Sequence, residues 1–150
     1  MRLWHYELLP YLPDVQFKGQ LRELVAIMHD WRDKGTTNHL LINRVMEYPP
    51  EELYHYWLGY REEWRKRGLR DLSKYDDEFY DFSKGGYLYI NVLLTCPYDI
   101  DWHNKEYLRV CMANLYEKHH FGVGKSCISD EEWQILLDGY KAITGEPYKI

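Results

Sequence analysis

The chain has 150 residues, of which 45% are hydrophobic and 29% charged, and a formal net charge of −5. That balance fits one domain over residues 1–150 with a single core and excludes a disordered chain. The acidic excess argues against indiscriminate nucleic-acid binding, which needs clustered Lys and Arg, but leaves room for a local basic face.

No apolar run approaches the roughly 20 residues of a membrane span. The opening Met-Arg-Leu-Trp-His-Tyr-Glu lacks the continuous apolar segment of a secretory signal. Cys96, Cys111 and Cys127 are scattered and odd in number, which disfavours a disulfide framework and points to a reduced, cytoplasmic compartment. The 15 Tyr and 6 Trp are unusually many for this length and are expected to build the core and its rim.

In chain order, Pro10 and Pro13 make residues 1–13 an extended or turning arm. Asp14 then caps a first helix running to about Asp30, with Phe17, Leu21, Leu24, Val25 and Met28 as its apolar stripe. Lys34–Asn38 reads as a loop, and His39-Leu40-Leu41-Ile42 fits either a short helix or a buried extended segment. Pro49-Pro50-Glu51-Glu52 opens a second helix whose inner face is Leu53, Trp57, Tyr60 and Trp64. It ends at Arg65-Lys66-Arg67-Gly68, cations followed by a glycine stop.

Residues 70–100 read as loop-rich, with Tyr87–Val92 the one strand candidate. A third helix is expected from about Asn104 to Lys118, presenting Leu108, Cys111, Met112 and Leu115 inward. Ser129-Asp130-Glu131-Glu132 is a capping box for a fourth helix that ends near Thr144-Gly145. The predicted fold is mainly α, a single compact domain of three to four helices joined by long irregular loops.

On a helical wheel, Glu23 falls far from the apolar stripe, beside Gly19 and near Gln16, Gln20 and Ala26, with Arg22 on the flank. The small neighbours Gly19 and Ala26 leave the Glu23 carboxylate uncovered. Read alone, this is a solvated helix face. With Met1-Arg2-Leu3 at the start, Leu12-Pro13 and the run Gly19-Gln20-Leu21-Arg22-Glu23-Leu24, the chain resembles the pyrimidine-dimer DNA glycosylase family, the endonuclease V type of DNA-repair enzyme. His39 and Lys66-Arg67-Gly68 add to the likeness more weakly.

The resemblance implies a glycosylase with coupled AP-lyase activity on damaged duplex DNA. The Met1 amine would be the nucleophile and Glu23 the carboxylate that stabilises charge and moves protons. An α-amine has a reference pKa near 8, so a useful fraction is neutral at physiological pH. Amine attack at a sugar C1′ gives an imine without any metal or cofactor. Arg2, Arg22, Gln16, Lys66 and Arg67 become the DNA-binding set, and the protein is expected to act as a monomer.

The chain departs from the family pattern in three places. Gln16 stands where the family has a histidine, Ala26 where a further arginine is expected, and the bulky Arg2 should leave Met1 in place. A non-catalytic helical module binding DNA or protein, and an enzyme acting on another nucleoside or sugar, are the competing readings. Cys111, His119, His120 and Cys127 are the best metal candidates, but they lack a recognised ligand spacing. Cys111 is expected in the core, and His119-His120 at a helix C-terminus.

Overall fold

The first helix starts one residue earlier in its capping scheme than the sequence suggests. In a computed structural model of the protein, which describes residues 2–35, 40–83, 97–98 and 101–150, α1 spans Asp14–Lys34 with Pro13 at the N-cap. Asp14 therefore lies in the first turn, where its charge meets the free N–H groups. The helix also runs a turn past Asp30 before stopping at Gly35, which has φ +69° and donates its N–H to Asp30 O and Trp31 O. Tertiary contacts hold that extra turn: Trp31 packs edge-on against Phe82, and Arg32 pairs with Glu78.

The ambiguous segment after the loop is helical, α2, Leu40–Val45. The second expected helix is α3, Pro50–Lys66. The loop-rich reading of 70–100 fails at its start, because α4 spans Ser73–Phe82. This helix forms because Phe79 stacks flat on Trp57, with ring centroids 4.3 Å apart, while Asp76 accepts from Trp57 Nε1 and Arg61 Nε. The Tyr87–Val92 strand candidate lies outside the described residues.

Two helices match their capping signals. Helix α5, Lys105–His120, has Asn104 accepting from the Tyr107 N–H, and α6, Asp130–Thr144, has the reciprocal Ser129–Glu132 capping box. Six α-helices are thus present among the described residues, more than the three to four expected, and the mainly α architecture holds.

The arm is not a loose tail. Residues Tyr6–Tyr11 form a 3-10 turn that buries Leu8 and Leu9 and packs between α3 and α6. A Cβ at Gly59 would come within 2.2 Å of the Tyr6 ring, and one at Gly139 within 2.4 Å of the Tyr11 ring. Two helical glycines therefore create the seat for the arm. Below it lies one continuous core running from Leu3 to Tyr140, rich in packed aromatics such as Phe17, stacked on Tyr60, and Trp64, tilted against it.

The seat gives a signed test. Gly139→Ala should destabilise the protein by about 1–3 kcal/mol through overpacking against the base of the Tyr11 ring. Gly19→Ala, where an added Cβ meets nothing within 4 Å, should instead stabilise by about 0.5–1 kcal/mol. Urea denaturation of the two variants reads both signs.

Candidate active site

Residues 2–5 belong to no helix or strand, and the polar backbone groups of Arg2, Leu3 and Trp4 that are bonded go to side chains. Gln20, on α1, is the centre of this arrangement. Its Oε1 accepts from Trp4 N (2.8 Å), and its Nε2 donates to Arg2 O (2.8 Å) and to Glu23 Oε2 (2.8 Å). Arg2 N donates to the same Glu23 oxygen at 3.2 Å. The Tyr56 hydroxyl donates to Trp4 O (2.6 Å), and the Tyr107 hydroxyl to Leu3 O (2.6 Å).

Further along, Tyr6 N donates to His103 Nδ1 (3.0 Å) and Glu7 N to His5 Nδ1 (3.1 Å). An imidazole can accept only when that nitrogen is unprotonated. Burial favours this state, holding His5 down at about 4 and His103 well below the usual imidazole range.

Glu23 is half-buried. Burial pushes its carboxyl above the ordinary value of 4.5, opposed by the Arg2 N–H, the amino-terminal charge, the Gln20 amide and the Arg2 guanidinium. A carboxyl shifted in that direction exchanges protons more readily near neutral pH. Both of its hydrogen bonds fall on Oε2, and Oε1 has no partner among the described residues.

The expected site residues separate into groups. Arg2 and Glu23 meet directly. The Arg2 guanidinium also donates to Asn114 Oδ1 (3.0 Å) from α5 and lies 5.4 Å from the Trp4 ring centroid. Arg22 is exposed next to Glu23 and makes no ion pair among the described residues. Lys66 is exposed at a cleft of about 390 Å³ lined by Tyr6, Glu7, Tyr11 and His55, and makes no bond to Arg2 or Glu23 among the described residues. Met1 and His39 lie outside the described residues.

Two of the expected DNA contacts turn inward instead. Gln16 is buried and donates from Nε2 to Ser126 O (3.0 Å). Its expected place on the polar face fails because the buried stripe of α1 is wider than its apolar residues and takes in Gln16 and Gln20. Arg67 is spent on the fold: it donates to Glu63 and Asp14, to the carbonyls of Leu9 and Leu12, and covers Phe17.

Among the described residues, no group of three or more His, Cys, Asp or Glu side chains could hold a metal. Cys111 is in the core, with burial raising its thiol to about 11. His119 lies at the end of α5 with Nδ1 3.1 Å from Ile128 O.

Sequence reasoning missed Gln20, Tyr56, Tyr107 and Asn114 as parts of the site. Gln20 carried a signal, an amide one turn before the acid. Asn114, 112 residues from Arg2, carried none.

These features define a small helical protein whose N-terminal segment is clamped against a carboxylate. The family model described as pyrimidine dimer DNA glycosylase matches residues 1–77. The chain belongs to that family, which places it among DNA-repair proteins with DNA as substrate. No curated protein and no solved structure matches it significantly.

Two substitutions separate surface charge from scaffold. Arg22→Ala should leave stability within about 0.5 kcal/mol and reduce the salt slope of DNA binding by about 1. Arg67→Ala should cost about 3 kcal/mol by stranding the 14%-exposed Glu63 carboxylate and the arm carbonyls. Salt-dependent DNA titration and urea denaturation measure these effects.

Glu23 gives a pH test. Its folded carboxyl holds a proton more tightly than the unfolded one, so its contribution to stability falls as pH rises from about 4.5 through the raised folded value. The stability of Glu23→Gln relative to the parent should therefore increase across that window, as read by thermal melts at stepped pH.

Proposed function

We propose that the protein is a glycosylase with coupled AP-lyase activity on damaged duplex DNA, with the Met1 α-amine as nucleophile and Glu23 as its partner. One contact carries this reading: Arg2 N donates to Glu23 Oε2 at 3.2 Å. Three covalent bonds separate that nitrogen from the Met1 amine, so the amine lies within roughly 4 Å of Arg2 N. The carboxyl that receives Arg2 N has its pKa raised by burial.

In the reaction, the amine attacks C1′ and the bond from C1′ to the base nitrogen breaks, with the electron pair leaving on the base, which takes up a proton. The C1′–N link to Met1 becomes an imine as the sugar ring opens at O4′. Loss of a proton from C2′ then expels the 3′ phosphate by β-elimination. Glu23, with Oε2 held by two hydrogen bonds, stabilises the cationic imine and carries protons. The route draws on the amine and the carboxyl alone, without metal or cofactor.

Arg2 and Arg22 supply positive charge for the DNA backbone on this reading, and the damaged nucleotide leaves the stack to reach the amine. The single core from Leu3 to Tyr140 supports residues 1–150 acting as one domain; the reading takes the protein as a monomer. The free thiols Cys111 and Cys127 fit a reducing, cytoplasmic setting. No helix among the described residues is long and apolar enough to cross a membrane.

A second reading, a binding module that kept the fold without the chemistry, has its own support. The cations Arg61, Arg65 and Arg67 near the end of α3 are all paired with acids, which leaves less positive charge there for a phosphate backbone.

Borohydride trapping on abasic and dimer-containing duplexes separates the two. A covalent adduct should form with the unmodified protein and be lost on N-terminal acetylation. Glu23→Gln should slow it by roughly 10²–10⁴-fold. DNA binding without any adduct would establish the module instead.

A further inference from the structure

We propose that Gln20 is the positioning residue of this site, setting both the place of the N-terminal segment and the proton affinity of Glu23. The inference rests on the amine–carboxylate reading above and names a residue which that reading does not require.

The amide of Gln20 is 1% exposed and fully used. A primary amide offers two N–H donors and two acceptor lone pairs. Here the donors go to Arg2 O and Glu23 Oε2, and the acceptor faces Trp4 N and, at 3.3 Å, the Tyr56 hydroxyl. Turning the amide over would set its N–H groups against Trp4 N–H and its oxygen against Arg2 O and a carboxylate. The network therefore admits one orientation.

The consequences converge on the reacting groups. The arm is gripped at Arg2 O and Trp4 N, on both sides of Leu3, by one rigid plane. The same plane donates to Glu23 Oε2, the oxygen that also receives Arg2 N–H, which fixes the carboxyl beside the N-terminal segment. A hydrogen bond to the charged form of a carboxylate lowers its pKa, so Gln20 offsets part of the rise that burial causes. No apolar or charged side chain of this size could do all three. Methionine offers no donor and only a weakly accepting sulfur, and an ionised glutamate would face Glu23 with like charge.

The test compares the parent protein, Gln20→Met and Gln20→Glu in single-turnover borohydride trapping on an abasic duplex across pH, with DNA affinity measured alongside. A carbon-detected titration of the Glu23 carboxyl is recorded for each. Both variants should raise the Glu23 titration midpoint and move the acid limb of the trapping profile upward with it. The Gln20→Met rate should fall by roughly 10²-fold while DNA affinity changes little. Relative to Gln20→Met at the same pH, Gln20→Glu should gain rate toward low pH, where its new carboxyl is protonated and again carries a donor and an acceptor.

If the parent traps an adduct and both variants keep its pH profile and Glu23 midpoint, Gln20 is structural only and the inference falls alone. It falls in the same way if rate is lost only in step with thermal unfolding. If the parent forms no adduct, the inference falls together with the amine–carboxylate reading. Should Gln20→Met fail to fold, Gln20→Glu, which keeps the shape of the side chain, carries the comparison.

Discussion

An extended segment brought into a helical protein must find partners for its backbone, and that requirement organises this molecule. A buried peptide group left without a hydrogen bond costs about 1–3 kcal/mol, so an arm of this kind cannot simply lie on a greasy surface. Here the donors Arg2 N, Trp4 N and Tyr6 N and the acceptors Arg2 O, Leu3 O and Trp4 O are answered by side chains from α1, α3 and α5 and from the residues just before α5. Tyrosine and glutamine suit the task because each is mostly apolar yet carries a polar tip. The abundance of tyrosine thereby acquires a structural use beyond filling the core.

The same solution builds the site. Once the arm is fixed, the first peptide nitrogen is delivered to Glu23, and burial of that carboxyl follows from the arm lying over it. The arm is in turn seated by Gly59 and Gly139 and tied at its far end by Arg67, which bonds to the carbonyls of Leu9 and Leu12. The family match ends at residue 77, yet His103, Tyr107 and Asn114 complete the grip on the arm. The C-terminal half therefore belongs to the site's architecture.

Charge is arranged to a similar end. Most of the cluster at the end of α3 is neutralised in place, Arg61 by Asp71 and Asp76, Arg65 by Glu62, and Arg67 by Glu63 and Asp14. The exposed Arg65–Glu62 pair adds little stability, and all of these pairs remove positive charge from the surface. Arg2 and Arg22 make no ion pair among the described residues. Arg2 thus keeps its charge close to the Glu23 carboxyl, which feels it.

Much of this was legible in the residues. The capping box at Ser129, the proline-led start of α3, the glycine stops and the apolar stripe of α1 are local signals, and local signals survive folding because they act within a turn or two of chain. The Arg22-Glu23 run and the arginine at position 2 likewise pointed to the family. What the sequence could not decide was which polar side chains turn inward. Gln16 and Gln20 look solvated on a wheel, and Arg67 looks like a free cation. Each is claimed by a backbone segment distant in sequence, as α4 is claimed by Trp57. Those choices depend on unsatisfied peptide groups and flat aromatic faces that exist only once remote elements meet. The sequence by itself determined the helices and the presence of an acid near the N-terminal segment; tertiary structure decided that the acid and that segment touch, because only the folded chain has a buried arm whose polar groups must be met.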